Sequence, residues 1–567
     1  MPTAQSLVSK GFTEARLSQL ATLAHNAEGR LSQIAAELGF ATETEEDALR
    51  AVGEAMGLEL VDLSSSKVDL TLLKEFPVRL IHRFGVFPIR KEQGSLILAI
   101  SNPFDLHALD TVGAAVKMSV LPVLAFPAEL AKLTKTYLGV GSETIDGLLA
   151  QQEERDGRVE MLEEIQYDQS EASQMAQEAS VVRLVNEILV EAVEARASDI
   201  HLEAHASGMK IRYRIDGVLH RQPTPPEIHR FQAAIISRLK IMARLNIAEK
   251  RVPQDGRIKL KVSGREIDIR VSIIPMLYGE GVVMRILDKD RMQFSLRGVG
   301  MDEETYAKFN QLIQLPHGII LVTGPTGSGK TTTLYSALNE IKNEATKIIT
   351  TEDPIEYQLE GINQIQVHPK VGLTFAASLR SILRHDPDVV LVGEIRDLET
   401  AENAIQASLT GHLVFSTLHT NDAASAFMRL VDIGVEPFLI SSTVEGVMAQ
   451  RLVRTLCPEC RRPCFPRRAD LPDDFPYQEC LVHGERLYRA VGCRKCRGTG
   501  YHGRTGLYEL LLANDEIRRL TGERTPSHLV KQAATTAGMR SLREDGWCKV
   551  RRGVTTIEEV LRVTKAD

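Results

Sequence analysis

The sequence predicts an α/β protein of several domains, in which a small β-rich module precedes a parallel-sheet domain built around a phosphate-binding loop. Three observations lead there. At 567 residues the chain has room for three to four domains of roughly 150 residues each. Along it the apolar spacing passes from helical to alternating and then to repeated strand–loop–helix units. One of those units carries GPTGSGKT at residues 324–331, matching G-x-x-x-x-G-K-[ST] at every fixed position.

Composition narrows the class. Hydrophobic residues make up 43% and charged residues 25%, the mix of soluble globular protein, which excludes disorder, collagen and low-complexity fibre. The 68 Lys+Arg against 75 Asp+Glu leave a net charge of −7, a poor balance for coating nucleic acid, so no nucleic-acid partner is expected. Seven cysteines cannot form a disulfide scaffold, and an odd count leaves at least one thiol over. No run approaches the roughly 18 consecutive apolar residues that span a bilayer. The start, MPTAQSLVSKGFTEARLSQL, has charges where a signal peptide has its apolar core. A cytoplasmic chain is expected, at most docked on a membrane from that side.

In chain order, residues 1–140 read as a small mixed α/β domain. Arg30–Leu38 and Glu46–Met56 have helical spacing, and Val86–Ile100 reads as two strands turned at Gln93-Gly94. Residues 141–178 are acidic, Gln- and Ser-rich, and read as a linker, with an exposed helix as the alternative for part of it. Residues 179–292 open with a helix expected to be capped by Ser180, on which Val182, Val185, Ile188, Leu189 and Val193 recur. The period then falls to two. Lys210–Asp216 alternates Ile211, Tyr213 and Ile215 with Lys210, Arg212 and Arg214; the pattern returns in Ile258–Val262 and Ile267–Val271 around a Ser263-Gly264 turn. The outward arginines of this module read first as a solvated face. Residues 293–567 repeat strand–loop–helix, the signature of a parallel sheet covered on both faces.

The phosphate loop sits where such a loop works, between the buried-strand run Ile319–Thr323 and a helix continuing through Thr332–Ile341. Gly324, Gly327 and Gly329 let the backbone curl so that N–H groups face a phosphate, and the helix N-terminus adds its positive end. Pro325, Thr326, Ser328 and Thr332 complete the nucleotide-cradling stretch. Lys330 would reach the β- and γ-phosphates and Thr331 would place its hydroxyl on Mg²⁺. A second buried strand, Asp388–Val392, leads to Gly393 and Glu394, a carboxylate at a strand's C-terminal end. TEDPIEY places Glu352, Asp353 and Glu356 together on a loop after Lys347–Thr350. One of these could orient or deprotonate water, although three neighbouring acids are more often caps and solvated charge. His412 and His419 flank Leu413–Ser416; taken alone, each reads as a structural hydrogen-bonded group.

Cys457-x-x-Cys460 and Cys493-x-x-Cys496 are two knuckles that can close a four-thiolate structural zinc site. Residues 461–492 between them exceed the usual 15–20-residue spacing, so an insert at 455–505 should form its own hairpin. Cys464, Cys480 and Cys548 have no paired spacing and read as ordinary thiols. With one Trp and 5% aromatics there is little surface for stacking bases, which favours a docking or folding role for the metal module.

Four segments occur in one order: GPTGSGKTTTLY (324–335), TEDPIEY (351–357), DPDVVLVGEIRD (386–397) and TGHLVFSTLHTND (410–422). They resemble the Walker A, Asp-box, Walker B and His-box segments of the secretion ATPase superfamily. ASDIHLE (197–203), PQDGR (253–257), the tetracysteine insert and GMRSLREDGW (538–547) are similar as well, and MRILDKDRM (284–292) is closer to the type II secretion branch than to pilus motors. The resemblance implies a RecA-like P-loop domain behind a PAS-like α+β domain, and a hexameric, Mg²⁺-dependent ATPase that drives pseudopilus assembly. It makes Glu356 the base or water-orienting residue, Glu394 the Walker B acid and His419 a γ-phosphate sensor, and it brings Arg270 and Arg285 towards the phosphates. Phe76–Pro88 resembles the part of that family's N-domain that docks on the cytoplasmic domain of a single-pass inner-membrane protein, beside a polytopic platform protein. Arg30-Leu31 resembles half of a cyclic-di-GMP-binding motif, but Ser32 replaces its Gly and a second copy is missing; cyclic-di-GMP is not expected as a ligand. A pilus extension motor, or a nucleotide-gated scaffold with negligible turnover, are the competing readings.

Overall fold

Apolar residues alternating along short strands and recurring along helices build two units, Met1–Ile286 and Leu287–Asp567, considered in turn. The computed structural model describes residues 44–138 (apart from 64–67, 70–71, 75, 78–79, 82–83, 93 and 104), 159–161, 178–288, 294–482 and 486–565. The expected helix at Arg30–Leu38 and most of the expected linker lie outside the described residues.

In the first unit, α1 (Glu45–Met56) starts where Thr44 accepts the Asp47 N–H and stops at Gly57, whose φ of 69° closes the last turn. Strands β1 (Phe87–Glu92) and β2 (Ser95–Ile100) form the expected hairpin, and β3 (Ser119–Leu124) adds parallel to β2. The crossover between β2 and β3 is α2 (Leu106–Val116), and α3 (Pro127–Leu138) follows. Leu98, Val112, Leu124 and Leu49 lie in one buried core.

A second sheet in this unit runs β4-β8-β9-β10-β5-β6-β7. Its strands are β4 (Val159–Met161), β5 (Ala197–His205), β6 (Gly208–Ile215), β7 (Val218–Arg221), β8 (Gln254–Val262), β9 (Arg265–Met276) and β10 (Gly279–Asp288). Two differences from the expectations are instructive. Val159–Met161, inside the expected linker, pairs antiparallel with Val262–Leu260. And α4 (Ala179–Glu194) begins before Ser180, with Glu178 at its start and no side-chain cap, so Ser180 lies in the first turn rather than capping it. The packing expectation holds: Val185, Ile188, Leu189 and Val193 are buried against Ile211 and Tyr213, and Tyr213 Oη donates to Ile188 O at 3.0 Å. On α5 (Gln232–Met242), the fully buried Lys240 is neutralised by Glu280 at 2.6 Å and donates to Glu249 O at 2.7 Å, the pairing that buried charge requires.

In the second unit α6 (Glu303–Ile313), capped by Asp302 on Thr305 N at 2.8 Å, precedes a seven-stranded sheet ordered β13-β12-β14-β15-β11-β16-β19. The strands are β11 (Gly318–Thr323), β12 (Ile348–Glu352), β13 (Asn363–Gln366), β14 (Val389–Val392), β15 (Leu413–Leu418), β16 (Val444–Leu456) and, after a hairpin of β17 (Arg462–Cys464) and β18 (Leu487–Arg489), β19 (Tyr501–Leu512). All neighbours are parallel except β16 and β19. A parallel sheet must be covered on both faces, and β11 shows it: Ile319 and Leu321 join one core, Ile320 and Val322 another. The covering helices are α7 (Lys330–Ile341), α8 (Phe375–Ile382), α9 (Leu398–Leu409), α10 (Ala424–Ile433) and α11 (Pro437–Thr443). After α12 (Tyr477–Val482), the chain ends in α13 (Asp515–Gly522), α14 (Ser527–Thr536), α15 (Leu542–Arg551) and α16 (Ile557–Val563). Caps set the starts: Thr374 holds Ala377 N, Asp397 holds Thr400 N, and Ser541 with Glu544 forms a full capping box. Among the described residues no helix is long and apolar enough to cross a membrane.

Leu321, in the middle of the interior strand β11, is fully buried. Leu321→Ala is expected to destabilise the second unit by about 2–5 kcal/mol, read as a lowered midpoint of the urea transition that reports on it; Leu321→Ile should lose much less.

Candidate nucleotide site and cysteine cluster

Four segments leave the C-terminal ends of four adjacent parallel strands, in the order β12, β14, β15, β11. That edge is where open α/β sheets bind ligands. Glu352 ends β12, Glu394 follows β14, His419 follows β15, and the loop 324–331 follows β11.

The loop requires its glycines for two separate reasons. Gly324, Gly327 and Gly329 have φ of 148°, 79° and 91°, where a side chain is strained. Gly324 and Gly329 are also hemmed in: a Cβ on Gly324 would lie 2.6 Å from Gln450 O, and one on Gly329 would lie 2.7 Å from Gln450 Nε2. Gln450, buried on β16, accepts from Thr333 Oγ1 at 2.8 Å and so fixes α7 against the sheet. Next to it, Arg451 Nη1 donates to Gln450 O at 3.0 Å and Nη2 to Asn421 O at 2.9 Å.

Lys330 opens α7 and donates to Gly324 O at 2.8 Å and Pro325 O at 3.2 Å. Burial lowers its pKa; the Glu394 carboxylate opposes that shift and the Arg451 cation adds to it. The Glu394 carboxylate is met by His419 Nε2 at 3.1 Å and by Arg396 at 2.5 Å. Thus Lys330, Glu394 and His419, chosen from three separate motifs, share one electrostatic neighbourhood. Pro325, Thr326, Ser328, Thr331 and Thr332 line the loop and the first turn of α7.

One expectation changes. Glu352 is not on a loop with Asp353 and Glu356 but is the buried last residue of β12. It accepts from Tyr335 Oη, from Thr350 Oγ1 at 2.5 Å and from Gln364 Nε2 at 3.1 Å, which commits it to joining α7 to the sheet. Burial, then the Glu352 charge, raise the Tyr335 pKa. Asp353 is exposed and Glu356 half-buried on the following loop. His412, by contrast, is the structural histidine expected: its Nδ1 lies 2.9 Å from Ala407 O and 3.1 Å from Thr410 Oγ1, at the end of α9. Arg270 and Arg285 belong to the first unit. Arg270 lies across from Arg257 on β8. Arg285 Nε donates to the buried Asp199 at 3.2 Å, and Arg214 Nε reaches the same carboxylate at 3.4 Å. Sequence reasoning passed over Asp199, Thr323, Gln450, Asn421 and Arg451; ASDIHLE drew attention to the first only as part of a motif.

The four knuckle thiols converge, with their Sγ atoms all within 4.8 Å of one another. Cys457 and Cys493 are 3.7 Å apart, Cys460 and Cys496 3.7 Å, and Cys493 and Cys496 3.8 Å. Sulfurs at the corners of a tetrahedron about 2.3 Å from its centre are about 3.8 Å apart, so the donor set fits a zinc ion. Backbone N–H groups of Gly492, Cys493 and Gly500 point at Cys460 Sγ and Cys496 Sγ at 3.1–3.3 Å. Burial works to raise the Cys496 pKa, but the amides of Cys493 and Gly500, together with the Cys460 and Cys493 thiols, outweigh it and bring the thiol down to about 7. Between the knuckles, β17 and β18 form the expected hairpin. Cys464, Cys480 and Cys548 lie outside this cluster and form no disulfide.

The family model for type II/IV secretion system proteins matches residues 174–562, and an MshEN-domain model matches residues 56–143. The type II secretion system protein E of Xanthomonas campestris pv. campestris is 45% identical over 529 residues, 92% of this chain and 91% of that protein. The type II secretion system ATPase E of Vibrio cholerae is 48% identical over 516 residues, 89% of this chain and 100% of that protein. The type IV pilus assembly ATPase PilB of Myxococcus xanthus is 41% identical over 512 residues, 90% of each chain. With that family model over most of its length and these relatives end to end, the chain belongs to the type II/IV secretion system protein family, and its second unit is that of a P-loop ATPase.

Proposed function

We propose that the chain is the E component of a type II secretion system, a homo-hexameric cytoplasmic ATPase that couples Mg²⁺-dependent ATP hydrolysis to pseudopilus assembly and protein export. The observation that carries this is the meeting of Lys330, Glu394 and His419 at one edge of a parallel sheet, Glu394 lying 3.1 Å from His419 Nε2, in a chain of this family. Lys330 and the loop N–H groups hold the β- and γ-phosphates, and Thr331 and Glu394 hold Mg²⁺ directly or through water. Glu356 orients or deprotonates the attacking water, and His419 senses the γ-phosphate. Arg270 and Arg285 offset charge that develops on the transferred phosphoryl group.

Residues 1–140 form the docking domain, 141–178 the linker, 179–292 the β-rich domain and 293–567 the ATPase domain. The first of these binds the cytoplasmic domain of a single-pass inner-membrane protein and so brings an acidic chain to the membrane, next to a polytopic platform protein. Cys457, Cys460, Cys493 and Cys496 hold a structural zinc ion, which cross-links the two ends of the insert. The greater identity to E proteins than to PilB favours secretion over pilus extension.

Phosphate release by the purified chain with Mg²⁺-ATP, in the presence of the membrane partner's cytoplasmic domain, tests the enzyme reading. Lys330→Ala and Glu394→Ala should each lower kcat at least a hundredfold, and Glu394→Ala should still bind a fluorescent ATP analogue. Undiminished turnover in Glu394→Ala would sink its assignment as the Mg²⁺-site acid, and negligible turnover of the unmodified chain would favour the scaffold. Selective binding to the pilus platform rather than the secretion platform would move the chain to the pilus branch.

Metal analysis should find about one zinc per chain. Chelation, or Cys460→Ser with Cys496→Ser, should release it and lower the melting temperature by several degrees. Much less than one zinc per chain in protein purified under reducing conditions would remove the assignment.

A further inference from the structure

The residue immediately before the phosphate loop is a fully buried threonine, Thr323, the last of β11. Its hydroxyl turns away from the loop and across to β15. It accepts the Thr420 N–H at 2.8 Å and lies 2.7 Å from Thr420 Oγ1, 3.1 Å from Leu418 O and 3.2 Å from Thr420 O. One hydroxyl therefore touches the backbone on both sides of His419, whose ring meets Glu394. A hydroxyl has one proton to give and two lone pairs, so Thr323 can accept from one side of the histidine while donating to the other. Thr420 Oγ1 in turn donates to Asp422 O at 2.9 Å, and Arg451 grips the next residue, Asn421, from the far side. Because Thr323 and Gly324 are joined by one peptide bond, a shift of the loop backbone moves this hydroxyl directly.

We propose that Thr323 is a positioning residue that sets the His419 imidazole on Glu394 and ties its placement to the phosphate loop. It does not reach the nucleotide; it acts through His419. The inference rests on the ATPase reading above and deepens it by giving the histidine a mechanical link to the bound phosphates. Valine keeps the shape of threonine and loses the hydroxyl, while serine keeps the hydroxyl and loses a methyl group.

The test is steady-state ATPase of the full chain with Thr323→Val, Thr323→Ser, His419→Ala and the Thr323→Val/His419→Ala pair, with Lys330→Ala as the inactive reference. Thr323→Val should lower kcat about tenfold and leave KM for ATP within a factor of two. Thr323→Ser should recover at least half of the activity. In the His419→Ala background Thr323→Val should cost less than a further twofold, because the histidine it positions is gone. Full activity of Thr323→Val overturns the inference, as does an equal loss in Thr323→Ser or an undiminished tenfold loss on top of His419→Ala. Should Thr323→Val fail to fold, Thr420→Val and Thr420→Ser carry the same comparison from the other side of the contact. Activity surviving in Lys330→Ala would instead defeat the ATPase reading itself, an outcome distinct from any of these.

Discussion

The second unit depends on one close approach of backbone to side chain: the loop after β11 lies directly on Gln450. Gln450 O and Nε2 lie 2.6 and 2.7 Å from where Cβ atoms on Gly324 and Gly329 would be, too close for either to fit, and its Oε1 holds Thr333 in the first turn of α7. The loop can then curl over the N-terminus of α7, whose positive end points into it. The two strands flanking β11 hold the arrangement from either side. β16 presents Gln450 and Arg451 beneath the loop, and β15 delivers His419 beside it.

Charge follows from that geometry. Lys330 and Arg451 are both partly withdrawn from water, and burial pushes the pKa of each down. Two cations that stand near one another out of water form a site for an anion with more than one negative charge. Glu394 supplies the counter-charge from the end of β14, and its two oxygens are divided between Arg396 and His419. An acid held in this way is shared between two partners: whatever draws it towards one weakens its hold on the other. Glu352 makes the contrast. It has equal formal charge at a neighbouring strand end, but its oxygens are occupied by Tyr335, Thr350 and Gln364, and it serves as a rivet.

The parts legible in the sequence are those with a local signal. The glycines and lysine of the loop, the apolar runs of β11, β14 and β15, and the two Cys-x-x-Cys pairs each announce themselves within a dozen residues, and the structure holds all of them together as expected. Glu352 was grouped with its neighbours because strand ends are uncertain by a residue or two, and that margin separates a buried acid from an exposed one. Gln450 and Arg451 lie far along the chain from the loop they support, and no spacing rule links them; only the order of strands in the sheet does. Thr323 is concealed differently. A threonine at the end of an apolar strand is ordinary, and its importance appears only when β15 is laid beside β11. The short strand Val159–Met161 sits in a segment whose acidic composition outweighed three residues of alternation. In the N-terminal part the half-motif read at Arg30-Leu31 lies outside the MshEN match, residues 56–143, which does contain Phe76–Pro88.

The placement of the cysteines follows from the same sheet. β16 and β19 are the antiparallel pair, in register from Gly446↔Leu512 to Leu456↔Tyr501, yet the chain between them makes the long excursion 457–500. An antiparallel ladder with so long a connection is costly to close, and the cost grows with loop length. The first knuckle begins at the residue after β16 and the second ends just before β19, with Cys457 N bonded to Gly500 O at 2.9 Å. A metal ion held by both knuckles would therefore make the ladder behave as though its turn were short, whatever the insert contains. The strand before the first knuckle is the one that carries Gln450 and Arg451, so the cysteine cluster adjoins the C-terminal end of β16 while the phosphate loop rests on its middle. A cysteine cluster outside the nucleotide site thereby has a physical route to it, through the rigidity of β16.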